Sequence, residues 1–313
     1  MKKVILTPGT ALPSPCVATI GFFDGVHRGH RYLIGHVCEL ARQHGLEAAV
    51  VTFDSHPRQV LHADYTPQLL STPEEKIALL ARTGIDTCAI LPFDAATAAL
   101  SAHDFMAGVL KERLNARILV TGYDNRFGHN RAEGFDDYVR YGRELGIDVE
   151  RWQPMEVGGV NVSSSVVRSL LQAGEVEMAA RCLGYRYTIS GTVVSGRHVG
   201  NSIGFPTANI EPACLQKLVP GGGVYAVEAF IEGEEKPRPA MLNIGSRPTF
   251  DNGQVTIECH IIDYQGDLYD TTLSVAFVAR LRDERKFRTA AELACQLRHD
   301  MEEAVARFDA INP

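Results

Sequence analysis

The hydrophobic pattern of this sequence changes near residue 184, and that change limits what the chain can fold into. Before it, short apolar runs rich in β-branched residues alternate with helical patterns, which is typical of a doubly wound parallel sheet. We therefore predict an α/β domain over residues 1–183, whose strands correspond to the apolar runs 17–23, 48–53, 88–93, 118–121 and 149–152.

After the change, apolar residues recur at every second position, and glycine-containing turns separate the runs. A long helical pattern returns only at residues 290–308. Evenly spaced strands of this kind predict a small antiparallel β-barrel, or a sandwich, closed by one C-terminal helix. The predicted second domain covers residues 184–313.

Composition narrows the choice of partners. The chain has 31 Lys and Arg against 38 Asp and Glu, a net charge of −7, so no overall field attracts nucleic acid or an anionic membrane. The apolar run at residues 4–6 is too short for the core of a signal peptide, and no run has the length of a membrane span. Seven scattered cysteines without a C-x-x-C pair predict reduced thiols in a cytoplasmic protein. The oligomeric state is left open.

The stretch GFFDGVHRGH, residues 21–30, places three glycines and two histidines between an apolar run and a helical pattern. The first two glycines permit tight turns, and Gly29 allows backbone to approach closely. A helix beginning near His30 presents unpaired N–H groups to an anion, and His27 and His30 share one side of its first turn. We interpret the stretch as a phosphate site. The alternatives are a metal site, or structural glycines with chance histidines.

Three further stretches carry polar residues past predicted strand ends or at a helix start. His56 lies in TFDSHP, in a loop on the same side of the sheet as the glycines. Asp124 and Arg126 follow another strand. SSSVVR, residues 163–168, is a serine run leading into a helix with Arg168, whose planar guanidinium suits a phosphate. Taken singly, each is equally well explained as an ordinary structural or solvated residue.

These motifs together resemble a known family. GFFDGVHRGH is similar to the G-x-F-D-G-x-H-x-G-H signature of the nucleotidyltransferase superfamily, and SSSVVR to its second phosphate-binding motif. TFDSHP and GYDNRFG narrow the resemblance to the bacterial bifunctional riboflavin kinase/FAD synthetase family. In the second half GFPTANI, GGVYAV, NIGSRPTF and GDLYD resemble the riboflavin kinase domain, so the resemblance covers nearly the whole chain.

The resemblance implies an enzyme that phosphorylates riboflavin to FMN with ATP and then adenylylates FMN to FAD, releasing pyrophosphate. Its partners would be these small molecules, with Mg²⁺ as the metal. In the first, Rossmann-like nucleotidyltransferase domain it implies catalytic roles for His27, His30 and Arg168. It implies ATP or phosphate binding by Gly21, Phe22, Asp24, Gly25, Gly29, His56, Asp124, Arg126, Ser163 and Ser164.

Chemistry in the second domain differs because the riboflavin 5′-hydroxyl is a poor nucleophile that benefits from a base. In VTIECHIID apolar and polar residues alternate, so Glu258 lies on the polar face of a strand. A solvent-facing Glu is the ordinary explanation, and the resemblance places the base here. Thr207 and Asn209 point the same way if extended, and their oxygens suit Mg²⁺. Ordinary turn residues are the alternative.

Two further sets complete the expected kinase site. The glycine-rich stretch that contains Gly196 and Gly204 is suited to wrapping phosphates, although it lacks the G-K-[ST] ending of a Walker loop. The resemblance implies flavin binding by Arg282, Glu284 and Phe287.

The chain departs from the common family pattern at Asn125, where many relatives have Phe, and at Asp270, where many have Gly. Two other functions stay open. One is a different nucleotidyltransferase, or a relative of aminoacyl-tRNA synthetases, whose β-domain is a non-catalytic binding domain. The other is a non-catalytic flavin-binding regulator. Retention of Glu258, Thr207 and Asn209 disfavours the first, and retention of the histidine pair disfavours the second.

Overall fold

The computed structural model describes residues 1–61, 64–123, 125–129, 132–196, 204–246 and 255–312. The chain forms two compact units, Met1–Ser164 and Ser165–Pro313. The predicted domain boundary lies between residues 183 and 184. The second unit begins earlier and includes two helices that the prediction places in the first domain. The boundary itself stays a prediction.

The first unit is built on a six-stranded parallel sheet with helices between the strands. Its strands are β1 (Lys2–Ile5), β2 (Cys16–Ile20), β3 (Glu47–Phe53), β4 (Thr87–Leu91), β5 (Ala116–Gly122) and β6 (Asp148–Trp152). Its helices are α1 (Arg28–His44), α2 (Pro57–Leu61), α3 (Pro73–Ala81), α4 (Ala95–Ala98), α5 (Ala102–Phe105), continued by a π-helix (Met106–Arg113), and α6 (Phe135–Leu145). A short antiparallel pair, β7 (Glu156–Val157) and β8 (Val160–Asn161), follows. The predicted α/β fold is confirmed.

The sheet has one strand more than the hydrophobic pattern predicts. β1 lies at one edge and pairs in parallel with β4, from Lys2 opposite Thr87 to Ile5 opposite Ile90. Its side chains are mostly exposed. An edge strand needs only one hydrogen-bonded neighbour and little apolar surface, so such a strand leaves a weak signal in the sequence.

Local sequence signals set the ends of several helices. α3 begins at a capping box, in which the Thr72 hydroxyl accepts from the N–H of Glu75 and the Glu75 carboxylate accepts from the N–H of Thr72. Pro73 occupies its first position, where an N–H would have no helical partner. α1 ends at Gly45, which adopts φ 65°. These three signals are local, and each is visible in the sequence itself.

Apolar side chains form a core on each face of the sheet. Leu110, Leu114 and Leu119 belong to one, and Ile34 and Val50 to the other. Burial on both faces explains why the strands read as continuous apolar runs.

The strand order, β1-β4-β3-β2-β5-β6, reverses beside β2. From β2 the chain continues to β3 and β4 on one side, and later crosses to β5 and β6 on the other. In open α/β sheets, ligands bind at such a switch point, beyond the carboxyl ends of the strands. Gly21 directly follows β2, so the predicted phosphate loop lies at this position.

The second unit is a closed antiparallel barrel with helices, and the sandwich alternative is wrong. Its strands are β9 (Thr188–Val194), β10 (Ala208–Pro212), β11 (Gly223–Ile231), β12 (Arg238–Ser246), β13 (Val255–Ile261) and β14 (Thr272–Arg282), in the order β10-β13-β12-β11-β14-β9. Its helices are α7 (Ser164–Gln172), which begins at the last residue of the first unit, α8 (Val176–Leu183) and α9 (Ala290–Asp309).

Helices pack on the barrel at two places. Ala304 of α9 packs in a core cluster with Phe205 and Met241. α8 packs on β14, and the Arg280 guanidinium of β14 donates to the carbonyl of Ala173 at 3.2 Å. The C-terminal helix is therefore where the sequence predicts it. α8 packs on the barrel, although the predicted boundary places this helix in the first domain.

A fragment that begins at Ser165 is expected to unfold at a higher temperature than one that begins at Gly184. The shorter fragment lacks α8 and so exposes the β14 surface that this helix covers, and each buried aliphatic side chain lost from such a contact is worth about 2–5 kcal/mol. Circular dichroism followed through thermal unfolding checks both fragments. Equal unfolding temperatures would contradict this role for α8.

Candidate active sites

The loop after β2 has an unusual backbone. Phe23 has φ 56°, Gly25 φ 72° and Val26 φ 35°. A positive φ is rare for a β-branched residue, and such strain concentrates at functional sites. A Cβ at Gly21 would lie 3.0 Å from Cζ of Phe23, so a side chain there would crowd this ring. The surrounding structure must therefore hold the loop in a conformation that its own residues disfavour.

Asp24 supplies much of that support. Its buried carboxylate accepts hydrogen bonds from the N–H of Leu70 at 2.9 Å and from the N–H and hydroxyl of Ser71 at 3.0 and 3.2 Å. The N–H of Gly25 donates to the Ser71 hydroxyl at 3.0 Å. Hydrogen bonds to a carboxylate are about twice as strong as neutral ones. The resemblance implies phosphate binding by Asp24, whereas these contacts indicate that it positions the loop.

His27 and His30 lie together at the N-terminus of α1. The helix begins at Arg28, two residues before the predicted start, because the His27 side chain caps it. Nδ1 of His27 accepts a hydrogen bond from the backbone N–H of His30 at 3.2 Å, and the rings stack with centroids 3.6 Å apart. Since Nδ1 accepts, a neutral His27 carries its proton on Nε2, which can donate to an anion.

His30 is held uncharged at neutral pH. Burial lowers its pKa well below 6.5, and the neighbouring His27 lowers that pKa further. Its Nδ1 is buried without a hydrogen-bond partner among the described residues. A buried polar nitrogen left without a partner is unfavourable, so this atom is suited to meeting a ligand. The pair therefore places two imidazole rings beside the N–H groups of a helix end.

The predicted serine motif meets the glycine loop. The Ser164 hydroxyl donates to the carbonyl oxygen of Asp24 at 3.1 Å. A Cβ at Gly29 would lie 3.1 Å from the carbonyl oxygen of Val162, so a larger residue there would push the two segments apart. Two motifs more than a hundred residues apart in sequence are thus neighbours at the switch point.

Two other loops at the carboxyl edge of the sheet contact the same region. His56 follows β3, and its ring meets the edge of the Phe22 ring with centroids 4.7 Å apart. The Asn125 amide donates to the carbonyl of Ile20 at 2.6 Å, which ties the loop after β5 to the end of β2. The departure from the family pattern at Asn125 thus supplies a backbone contact.

Four predicted residues of the first site remain. Arg126 is exposed in the loop after β5, and Ser163 directly precedes α7. Arg168 lies on α7, in the second unit. Asp124 lies outside the described residues. The roles that the resemblance implies for these four stay predictions.

Two cavities lie in the described part of the barrel unit. One, of about 310 Å³, is lined by apolar side chains and by five residues of the predicted site, Thr207, Glu258, Arg282, Glu284 and Phe287. The other, of about 380 Å³, is lined by the turn between β13 and β14 and again by Thr207. A single threonine is therefore shared by a largely apolar cavity and a more polar one.

Strand register brings the predicted base and a predicted metal ligand together. Asn209 of β10 lies opposite Glu258 of β13, and Asn243 of β12 lies opposite the same Glu258. Directly opposite residues of antiparallel strands share a face. A Cβ at Gly196 would collide with the Asn209 amide, so a glycine is required there. Two asparagines on neighbouring strands therefore share a face with Glu258.

Arg282 forms an ion pair that the sequence analysis did not include. Its guanidinium donates to the buried Asp300 carboxylate of α9 at 2.7 and 3.0 Å, and Gln296 donates to the same carboxylate at 2.6 Å. The Phe287 ring centroid lies 5.7 Å from the guanidinium carbon. Arg282 therefore anchors α9 beside the apolar cavity, with its donors engaged largely by the protein.

The sequence analysis missed two residues that line the apolar cavity, Asn243 and His260. Nδ1 of His260 donates to the carbonyl of Pro206 at 2.7 Å, which leaves Nε2 as an acceptor in the neutral ring. His260 follows the same alternation as Glu258, and this periodicity could have identified it. Asn243 is brought close only by pairing between strands, which the sequence does not show.

The glycine-rich stretch before β10 is described only at its ends. Gly196 precedes it, Gly204 ends it with φ 83°, and residues 197–203 lie outside the described residues. Asp270 adopts φ 60°, a conformation that glycine takes without strain and Asp tolerates. This explains how Asp replaces the Gly of many relatives.

The described residues contain no group of three His, Cys, Asp or Glu side chains placed to hold a metal. The oxygens of Thr207 and Asn209 are hard donors of the kind that Mg²⁺ accepts. Mg²⁺ keeps several waters and takes substrate phosphates for its other positions, so it needs few protein ligands. Thr207 lines both cavities and so offers such an oxygen to either one.

Comparison with known proteins agrees with this arrangement. A family model described as FAD synthetase matches residues 10–166, and one described as riboflavin kinase matches residues 183–308. The bifunctional riboflavin kinase/FMN adenylyltransferase of Escherichia coli strain K12 is 38% identical over 91% of this chain and 90% of that protein. The protein of the same description from Bacillus subtilis strain 168 is 35% identical over 93% of this chain and 92% of that protein.

A solved structure is similar over nearly the full length. It is described as a macrolide-efflux protein from Streptococcus pneumoniae, is 31% identical, and has a TM-score of 0.86 with 96% of this chain and 97% of that chain covered. The two family models match the two halves of the chain, which defines a transferase with two enzymatic domains. The chain belongs to the bifunctional riboflavin kinase/FMN adenylyltransferase family.

These matches confirm the predicted fold class, enzyme class and pair of activities, riboflavin kinase and FMN adenylyltransferase. They do not support the alternative of a barrel that only binds, because the kinase model matches that half of the chain. Separately, none of the helices that the structure describes has the length and apolar character to cross a membrane.

Asp24→Asn is expected to lower the free energy of unfolding by about 1–3 kcal/mol. The carboxylate accepts hydrogen bonds from three donors, whereas the amide that replaces it has an NH₂ group that cannot accept from them. Chemical denaturation of the first unit, followed by its own spectroscopic signal, measures the change. Asp148→Asn, at an exposed position of β6, is the matched control and should stay within about 0.5 kcal/mol of the parent. An equally small effect at residue 24 would contradict the positioning role.

Proposed function

We propose that the loop at the switch point carries out FMN adenylylation and that the barrel cavities carry out riboflavin phosphorylation. One observation carries the kinase assignment: Thr207 lines both cavities, while Glu258 lines the apolar one only. A nucleotide in the polar cavity and a flavin in the apolar cavity would therefore meet at Thr207. This is the geometry that transfer of a terminal phosphoryl group requires.

In the kinase site, Glu258 accepts the proton of the riboflavin 5′-hydroxyl as that oxygen attacks the γ-phosphorus of ATP. The oxygen–phosphorus bond to ADP breaks, and FMN is formed. A base is useful because the hydroxyl is neutral and weakly nucleophilic. Asn209 and Asn243 lie opposite Glu258 on the neighbouring strands.

Thr207 and Asn209 would hold Mg²⁺ in this site, and the ion would supply positive charge that offsets the charge of the transferring phosphoryl group. The flavin ring system is proposed to occupy the 310 Å³ cavity, whose apolar lining includes Phe205, Met241 and Leu297. A largely apolar cavity with a few polar groups at its rim is the usual form of such a site.

The adenylyltransferase site needs no base. A phosphate monoester has a second pKa near about 6, so the FMN phosphate is already ionised when it attacks the α-phosphorus of ATP. Pyrophosphate leaves, and negative charge increases on its oxygens. The protein's tasks are to bring two anions together and to stabilise this charge. Nε2–H of His27, the His30 ring and the N-terminus of α1 are proposed to do so.

Several expectations from the sequence stay predictions. These are the requirement for Mg²⁺, the cytoplasmic location, the absence of nucleic-acid and membrane partners, and the individual site residues. The direct test is to incubate the purified chain with riboflavin, ATP and Mg²⁺ and to separate FMN and FAD by chromatography. The proposal is supported if both FMN and FAD form. It is contradicted if neither product forms.

Glu258→Gln is expected to lower riboflavin phosphorylation by about 10²–10⁴-fold, because an amide cannot accept the hydroxyl proton. FMN adenylylation, assayed with added FMN, should persist because that reaction uses no base. Glu235→Gln, in the exposed turn between β11 and β12, is the matched control and should keep both activities. A variant at residue 258 that makes FMN at the parent rate would overturn the assignment.

His27→Asn and His30→Ala are each expected to lower kcat for FAD formation by about 10²–10³-fold, the scale of losing one preorganised donor. Asn at residue 27 keeps a helix cap, so loss of the imidazole is separated from loss of α1. KM for ATP should change much less, since the glycine loop remains. His44→Ala, at the exposed end of α1, is the control. An unchanged kcat, or stoichiometric zinc in the parent protein, would refute the phosphate role.

A further inference from the structure

Lys76 of α3 is a buried lysine that has no role in the sites described above. Its side chain is only 4% exposed, and it shares the inward face of the helix with Leu80, one turn later. Lysine is almost never buried to this extent without a partner, because removing its charge from water is costly. A buried ionisable group beside a site is a candidate for a functional role.

The Lys76 ammonium joins two loops of the carboxyl edge. It donates to the carbonyl of Phe53 at 2.9 Å and to the hydroxyl of Thr52 at 3.2 Å, both at the end of β3. The Thr52 hydroxyl in turn donates to the carbonyl of Phe22 at 3.1 Å. The ammonium also lies 4.2 Å from the centroid of the Phe22 ring, within the range of a cation–π contact.

These contacts reach the strained part of the proposed phosphate loop. Phe22 directly precedes Phe23, which has φ 56°, and its ring also meets His56. Both hydrogen-bond acceptors of Lys76 are neutral, so no bonded carboxylate cancels its charge. The side chain therefore supplies both a mechanical link between the two loops and a positive charge close to the loop proposed to bind two anions.

We propose that Lys76 is a positioning residue for FMN adenylylation, which holds the Phe22 loop against the end of β3 and places positive charge beside the phosphates. The inference rests on the assignment of that reaction to the glycine loop. Lys76 acts through Thr52 and Phe22, so it differs from the histidines, which are proposed to touch substrate.

The charge of Lys76 depends on pH in an accessible range. Burial lowers the pKa of the amine from 10.5 to about 8, and Asp24, Cys88 and Asp54 oppose that shift. These three are the ionisable groups that face it from the glycine loop, β4 and the end of β3. Burial raises the pKa of Cys88 to about 11, so this thiol stays neutral while the amine titrates. A neutral amine keeps two N–H donors but loses the ring contact and about half of its hydrogen-bond strength.

Activity and stability then respond to pH in opposite directions. FAD formation should fall as pH rises through about 8, where the amine becomes neutral. The free energy of unfolding should rise between that value and 10.5, because over this range the unfolded chain binds the lysine proton more tightly than the folded chain does. A purely structural role predicts that both quantities move together.

The experiment compares the full-length parent with Lys76→Met, Thr52→Val and the double variant, using Lys111→Met as an exposed-lysine control. Lys76→Met should lower kcat for FAD formation by about 10- to 100-fold, with a smaller change in KM for ATP. It should also remove the decline of the parent's rate above pH 8. Thr52→Val should lower kcat as well, and the double variant should be no slower than Lys76→Met, because both act through one link.

Riboflavin kinase activity of the same preparations should be unchanged in every variant, because the proposed kinase site lies in the other unit. Chemical denaturation of the first unit, followed by its own spectroscopic signal, checks that this unit is folded in each variant. The inference is overturned if Lys76→Met keeps the parent's kcat, or if the parent's rate is constant from pH 7 to 9. If either of these results occurs while His27→Asn loses FAD formation, the proposed function is supported and only the role of Lys76 is refuted. If the parent makes no FAD, the proposed function and the role of Lys76 are both refuted.

Discussion

The strained loop after β2 is the constraint on which the first active site depends. Phe23, Gly25 and Val26 hold positive φ angles that the unsupported chain would not keep. The buried Asp24 carboxylate fixes them through hydrogen bonds to the segment of Leu70 and Ser71. That conformation places His27 as the cap of α1, and the cap determines which imidazole nitrogen carries the proton. Orientation of the proposed catalytic donor thus follows from a buried carboxylate that holds the loop.

The two halves match two different chemical problems. In the proposed assignment, adenylylation joins two anions and needs no base, and the first site holds a histidine pair, a helix N-terminus and a nearby buried lysine. Phosphorylation starts from a neutral hydroxyl, and the proposed base in the barrel is Glu258, which lies opposite Asn209 and Asn243 and lines an apolar cavity. Each half has its own hydrophobic core. The ionisation state of the nucleophile explains why the proposed kinase site has a base and the proposed adenylyltransferase site has none.

Local signals in the sequence predicted much of this arrangement, and long-range contacts account for what was missed. The capping box at Thr72, the glycine loop and the alternation around Glu258 depend on neighbouring residues, and all could be read directly. The bonds of Asp24 to the chain near Ser71 span 47 residues, and the Arg282–Asp300 pair joins a strand to a helix. Lys76 left one signal, a lysine at an inward helical position, which the sequence analysis did not include.

The most direct test of two sites with two reactions follows the phosphorus atoms of ATP. The purified chain is incubated with riboflavin and ATP labelled at either the γ- or the α-phosphorus, and FMN and FAD are separated and counted. Label from the γ-position should appear in FMN and persist in FAD, because the kinase product is the nucleophile of the second reaction. Label from the α-position should appear in FAD alone. Label from the α-position in FMN, or FAD that lacks it, would contradict the proposed chemistry.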